Sequence, residues 1–397
     1  MSGDAELAGP LSGIRVVDLT AMVLGPVATQ ILGDMGADVI KVEPPDGDPM
    51  RQVGPARSAG MSAFFINMNR NKRSVVLDLK DPTGHANFLR LVRNADVVVH
   101  NMRPAAAQRL GISYADLVQC NPRIICALAP GFRAAGPYAA RPAYDDIIQG
   151  ASGLVAMNVR ATGEARYMPT AFADKLVGHV LASAIGMALF HRERTEQGQE
   201  VIVPMFETMV AFNMLDHLYG GTFAQTAEAV GYPRLLSPHR RPYPTSDGHI
   251  CVMAHTDEQW RRLFVAIGRP ELAHDPRYAR LAPRTENLQD LLLIVTERMS
   301  TRTTAEWQAA LAIADVPNGP VNKLEDLFTD PQLRATGFFR HLDHPTEGAL
   351  LTPDIPVEFS ASPGALRHAA PSLGENNNEI ARQFGFVDAG PTAGASR

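Results

Sequence analysis

The feature that most constrains this chain is the alternation of short β-branched runs with helical stretches over its first 130 residues. IRVVDL at 14–19 reads as a strand, VATQILGDMG after the Leu24-Gly25-Pro26 turn as a helix closed by Gly36, and DVIKVE at 38–43 as a second strand. Three such elements in about thirty residues make a β–α–β unit, the size of a right-handed crossover between parallel strands. The pattern recurs, with strands at 74–79, 96–100 and 123–129 and helical segments over 82–95 and 104–119. It predicts an α/β fold around a doubly wound parallel sheet.

The texture changes after about residue 205. A turn-rich stretch, SPHRRPYPTSDGHI, leads into the short strand ICVMA, and amphipathic helices follow at 256–267, 284–299 and 303–314. Residues 225–325 read as a second, smaller α+β domain, with 1–205 before it and 206–224 as a linker. Residues 330–385 carry strand and turn signals and a last helix, ENNNEIARQFG. The tail DAGPTAGASR has a disordered composition.

Composition excludes several function classes. The 37 basic and 42 acidic residues give a net charge of -5, which leaves no broad basic surface for nucleic acid. Three cysteines, Cys120, Cys126 and Cys251, fit neither a disulfide scaffold nor a cysteine zinc site. MSGDAELAGP has no basic region followed by an apolar core, so no signal peptide is expected. The weakly polar stretch Leu176 to Phe190 is short of the ~20 apolar residues of a membrane span and reads as a buried helix. A cytoplasmic protein with no membrane segment and no bound metal is the expectation.

Ligands of open α/β sheets sit at the carboxyl ends of the strands. That selects Thr20 to Pro26, Glu43 to Arg51, Asn101 to Arg109 and Pro130 to Tyr144. Gly25-Pro26 lacks the G-x-G-x-x-G of a dinucleotide loop and reads equally as a helix start. Asn101, Arg103 and Arg109 suit phosphate contacts or a solvated helix start, and Asn71-Lys72-Arg73 is either a phosphate-steering pair or a charged turn. Asp174, entering an apolar helix, is either a capping acid or a nucleophilic carboxylate.

The chain resembles the family III CoA-transferases over nearly its whole length. The resemblance is carried by LSGIRVVDLTAMVLGP, GADVIKVEPPDGDPMR, NRNKRSVVLDLK, DVVVHNMRPAAAQRLG, RPAYDDIIQGASG, ADKLVGH, VPNGPVNKLEDLFTDPQ and PSLGENN, in that order. It implies a Rossmann-like large domain completed by residues 326–397, a small domain, and an interlocked homodimer. Asp174 aligns with the catalytic aspartate, whose expected role is to move CoA from an acyl-CoA to a free carboxylic acid through a mixed anhydride and an aspartyl-CoA thioester. An ordinary carboxylate pKa near ~3.9 would already supply the ionised form.

The resemblance further implies that Met22 and Val23 lie by the adenine or pantetheine and that Asn101 and Arg109 lie by the phosphates and pantetheine. Tyr144 would sit beside the thiol end, and Lys72 and Arg73 by the nucleotide. Pro44 and Pro45 stand where some members carry an arginine, with Arg51 as the substitute. No glycine-rich lid is present, which disfavours formyl-CoA substrates. Coenzyme A is thus expected as substrate and product, with no permanent cofactor. His239, Arg240 and Arg241 are candidates for a second carboxylate, or else a solvated basic loop. Two alternatives stand beside transfer. An α-methylacyl-CoA racemase would need a histidine where Tyr144 stands, and a phenol of pKa near ~10 is a poor α-proton base. A CoA-binding protein without turnover is the other.

Overall fold

A computed structural model describes residues 9–224 and 229–387. The readings of the extreme amino terminus and of the DAGPTAGASR tail fall on residues outside that range, wholly or in large part. The chain divides into two compact units. One draws on residues 1–152, 168–212 and 335–397, the other on 153–167 and 213–334.

The first unit is built on a six-stranded sheet: β1 (Arg15–Asp18), β2 (Asp38–Glu43), β3 (Lys72–Val76), β4 (Val97–His100), β5 (Ile125–Leu128) and β6 (Glu200–Ile202). Their order is β3-β2-β1-β4-β5-β6, and every pairing is parallel. The strand order reverses direction between β1 and β4, which opens a crevice at their carboxyl ends. Helices cover both faces. On one side lie α1 (Leu24–Asp34) and the 24-residue α8 (Phe172–Thr195). α2 (Ala63–Ile66) is a single turn between β2 and β3. On the other face, α3 (Pro82–Arg93) and α5 (Tyr114–Cys120) pack Phe88, Leu91 and Leu117 against Val17, Ile40 and Val98. The helix expected at 104–119 is two helices, α4 (Pro104–Arg109) and α5, because Gly111 takes a left-handed φ of 65° between them. β3 starts at Lys72, two residues ahead of the expected strand.

α8 is the helix among the described residues that is long and apolar enough to cross a membrane. Val177, Leu181, Ile185 and Leu189 on it are buried in the unit's core, whereas Val180, Met187 and Phe190, within the stretch expected to be buried, are exposed. Gly178 sits where α8 meets α1, and a Cβ there would lie 2.7 Å from the Leu24 carbonyl oxygen. The short α6 (Asp145–Ala151) also packs on α8.

The carboxyl-terminal segment finishes the sheet. The side chain of Asn376 accepts from the Ser74 amide (2.9 Å) and that of Asn377 from the Val76 amide (2.8 Å). The free edge of β3 is therefore capped by side chains rather than by another strand.

The second unit opens with α7 (Leu154–Thr162). The helix α9 (Met205–His217) runs across the boundary between the units, and α10 (Gly221–Ala224) follows it. The antiparallel strands β7 (Tyr243–Pro244), β8 (His249–Val252) and β9 (Asn318–Pro320) accompany α11 (Asp257–Ala266), α12 (Leu281–Glu286), α13 (Leu288–Met299) and α14 (Thr304–Ile313). Capping boxes at Thr256 with Gln259 and at Thr303 with Glu306 start α11 and α14. Trp260, Phe264, Tyr278, Leu291 and Trp307 form the core. The short α15 (Pro331–Ala335) precedes the return to the first unit, where β10 (Phe339–His344) and β11 (Gly348–Pro353) form a hairpin and α16 (Asn377–Phe384) closes the fold.

Candidate active site

The first turn of α8 carries Asp174 as its third residue, while the N-cap position is Ala171, whose side chain caps nothing. Asp174 is therefore not the capping acid. The missing cap comes from α6: Oδ1 of Asp145 accepts from the backbone N–H of Asp174 at 2.9 Å. Asp145 is itself held by the buried Gln149, whose Nε2 donates to its Oδ2 at 2.5 Å. Gln149 Oε1 accepts from the Met168 amide (2.9 Å), fastening the segment that leads into α8.

No hydrogen bond to the Asp174 carboxylate comes from the described residues. Burial, and then the neighbouring Asp145 carboxylate, push its pKa up to about 7. This corrects the expectation that an unperturbed aspartate would serve. Taking a carboxylate out of water without donors costs free energy, and a like charge nearby adds to the cost. The result is a poorly solvated acid–base group that changes charge near neutrality. α8 precedes β6 in the parallel sheet, so its amino end lies at the carboxyl end of the strands. One turn further on, Gly178 rests against the start of α1, directly after Met22 and Val23.

The loops after β1 and β4 meet in the crevice. Asn101 Nδ2 donates to the Ala21 carbonyl (2.8 Å) and its Oδ1 accepts from the Ala21 amide (3.3 Å). Next to it Met22 holds a left-handed φ of 70°, with its amide donating to Asp48 Oδ1 at 3.3 Å. The loop is thus fixed from both sides in a conformation a non-glycine residue rarely adopts. Gly25 is required here, since a Cβ would fall 2.2 Å from that of Thr20.

A cavity of 220 Å³ lies beside this loop, lined by Thr20, Val42, Asp48, Leu77, Lys80 and Met102, among others. Leu110, directly after α4, also lines it. Arg103, the N-cap residue of α4, and Arg109, its last residue, are exposed. Lys80 was missed in the sequence, although the segment after β3 is a strand end like the others.

Three other sequence candidates are placed differently. The Lys72 ammonium is buried and donates to Asp18 Oδ2 (3.1 Å), Asn69 Oδ1 (2.8 Å) and the Pro26 carbonyl (3.1 Å). Burial pushes its pKa down to about 8 against the pull of Asp18. Arg73, near the amino end of β3, pairs with Asp38 and Glu379. Arg51 forms a two-pronged pair with Glu43 (2.7 Å on each arm) and stacks on Phe65. A nucleotide role for Lys72, Arg73 or Arg51 does not fit these commitments. Their charges are met by Asp18, by Asp38 and Glu379, and by Glu43, of which only Glu43 is near its partner in sequence.

Tyr144 precedes Asp145 as the N-cap residue of α6 and is 63% exposed. His239, Arg240 and Arg241 lie in the second unit. Among the described residues no group of three His, Cys, Asp or Glu side chains converges as a metal site.

Comparison with known proteins places this geometry. The model of CoA-transferase family III matches residues 11–377. Succinate–glutarate CoA-transferase from Agrobacterium fabrum is 34% identical, covering 96% of each chain. Acetyl-CoA:oxalate CoA-transferase from Acetobacter aceti is also 34% identical, over 97% of this chain and 98% of its own. Among solved structures, a CAIB/BAIF family protein from Brucella suis superposes with a TM-score of 0.81 at 32% identity, covering 95% of this chain and all of the other.

Proposed function

The chain belongs to CoA-transferase family III and is a transferase; on that premise we propose that Asp174 is the nucleophile that moves coenzyme A between an acyl-CoA and a free carboxylic acid. The Asp174 carboxylate attacks the thioester carbonyl. The C–S bond breaks, leaving a mixed anhydride and CoA thiolate. The thiolate attacks the aspartyl carbonyl, releases the donor acid and forms an aspartyl-CoA thioester. An acceptor carboxylate attacks that thioester and displaces the thiolate, which then attacks the acceptor acyl carbon and restores Asp174. Each step exchanges one acyl bond for another, so the thioester's energy is retained throughout.

The observation that carries this reading is the Asp174 carboxylate itself: partly buried, without hydrogen-bond donors, and pushed up to about 7. A carboxylate stripped of donors is more nucleophilic than a solvated one, and the same dryness protects an anhydride from water. Asp145 and Gln149 act as positioning residues for the first turn of α8. We assign the CoA moiety to the crevice between the loops after β1 and β4, against Met22 and Val23. Lys80, Arg103 and Arg109 supply positive charge for its phosphates, and Tyr144 lies toward the thiol end. Asn101 serves by fixing Ala21. The acids exchanged are not carried over from the relatives, because two of equal identity are named for different ones. We read the enzyme as a homodimer, supported by the exposed apolar side chains Met187 and Phe190 on α8.

The test is mass spectrometry after mixing the protein with succinyl-CoA or acetyl-CoA and quenching with hydroxylamine. Conversion of Asp174 to its hydroxamate supports the covalent path. Unmodified Asp174 across a broad acyl-CoA panel would rule it out.

A further inference from the structure

The second unit holds a cavity of 570 Å³ with no acidic side chain in its lining. Its floor is apolar, formed by Trp260, Leu263, Leu288 and Leu292. At its rim stand Arg234, Arg240 and Arg241. Several other arginines of this unit are neutralised, among them Arg284 by Asp257 (2.5 Å), Arg262 by Glu258 (2.9 Å) and Arg277 by Asp275 (2.7 Å). Arg234, Arg240 and Arg241 have no such partner among the described residues, and all three line one cavity.

The rim is anchored. Ser237 is buried, donates to Gln289 Oε1 (2.9 Å) and accepts from the His239 amide (3.2 Å). Its carbonyl accepts from the Arg240 amide (3.1 Å). Arg234 lies with Nη2 3.3 Å from Met253 Sδ. The Tyr243 phenol is buried beside the charges of Arg234 and Arg240, and burial pushes it up to about 12, so it remains a donor. His239, on the same loop, does not line the cavity.

Three unneutralised guanidiniums over an apolar floor form an amphipathic anion site. We propose that this cavity binds an organic acid with an apolar body, its carboxylate among Arg234, Arg240 and Arg241 and its chain over Trp260 and Leu263. Guanidinium–carboxylate pairs supply direction, and burial of the chain supplies affinity at about fourfold per CH2. Binding here needs no acyl transfer, so it is measured on the full chain without coenzyme A and stands or falls apart from the chemistry at Asp174.

Calorimetric titration with octanoate, acetate and inorganic phosphate tests it. Octanoate is expected to bind saturably at one site per chain. Acetate should bind at least about tenfold more weakly, and phosphate without saturation. The double variant R240Q/R241Q should weaken octanoate at least about tenfold, R234Q should weaken it as well, and Asp174→Asn should leave it unchanged. Three results each overturn the proposal: no octanoate binding, octanoate binding that survives R240Q/R241Q, or phosphate binding as tight as octanoate. The last would make the site a phosphate reader.

Discussion

The backbone amide of Asp174 donates to the carboxylate of Asp145 at 2.9 Å, so the residue that caps the first turn of α8 also raises the pKa of the carboxylate proposed as the nucleophile. One side chain thus contributes to both the geometry of this turn and the electrostatics of its carboxylate, where burial is the larger cause.

Asp145→Asn separates the two effects, because the amide oxygen still accepts from Asp174 while the charge is gone. The acid limb of the kcat/KM profile, expected near pH 7 in the native enzyme, should move toward lower pH. Burial is the larger cause, so the shift covers only part of the distance to the ordinary range. A limb that stays in place would remove Asp145 from the electrostatics.

Asp174→Asn should reduce transfer by at least about a thousandfold if the carboxylate is the nucleophile. Its effect on stability has a defined sign. Folding raises the Asp174 pKa from 3.8 to about 7, so the folded chain holds this proton more tightly than the unfolded one. Stability attributable to the group therefore falls as pH climbs through that window and stays lower above it. The variant should be more stable than the native chain at pH 8, by on the order of 1–3 kcal/mol, and equal to it at pH 3. Thermal melts at the two pH values check this.

Gly178→Ala drives a methyl against the Leu24 carbonyl. A loss of about 1–3 kcal/mol is expected, with a fall in kcat because α8 carries Asp174. Urea titration with steady-state kinetics reads both. Native stability and rate would show that the helices part without cost.

Asn101→Ala removes both bonds to Ala21 and releases the strained Met22. KM for acyl-CoA should rise more than kcat falls, with a stability loss of about 1–2 kcal/mol. A change confined to kcat would instead place Asn101 on the reacting atoms.

Lys72→Met leaves Asp18 buried without its cation and should cost about 3–5 kcal/mol, measured by urea unfolding. An exposed, nucleotide-binding lysine would lose affinity for CoA and leave stability nearly unchanged.

The parallel sheet was legible because β-branched runs such as IRVVDL and DVIKVE recur at crossover spacing, and the ADKLVGH resemblance is what singles out Asp174 as the proposed nucleophile. What escaped was anything made by distant residues. Arg51 pairs with Glu43 only eight positions before it, whereas Lys72 looked free because its partner, Asp18, lies on another strand that only the fold brings alongside. The Asp174 pKa escaped for the same reason, since Asp145 is 29 positions away and burial has no sequence signature. Asp145 itself stood in the RPAYDDIIQGASG motif, directly after the Tyr144 that drew attention.

Asn376 and Asn377 cap the edge of β3 some 300 positions earlier in the chain. During synthesis that edge waits, bare, while the whole second unit is translated. Its amides find their acceptors only once residues 376 and 377 have left the ribosome. A nascent chain therefore carries an open strand edge for most of its assembly, and a message truncated before codon 376 yields a sheet that can pair with its neighbours instead of with itself.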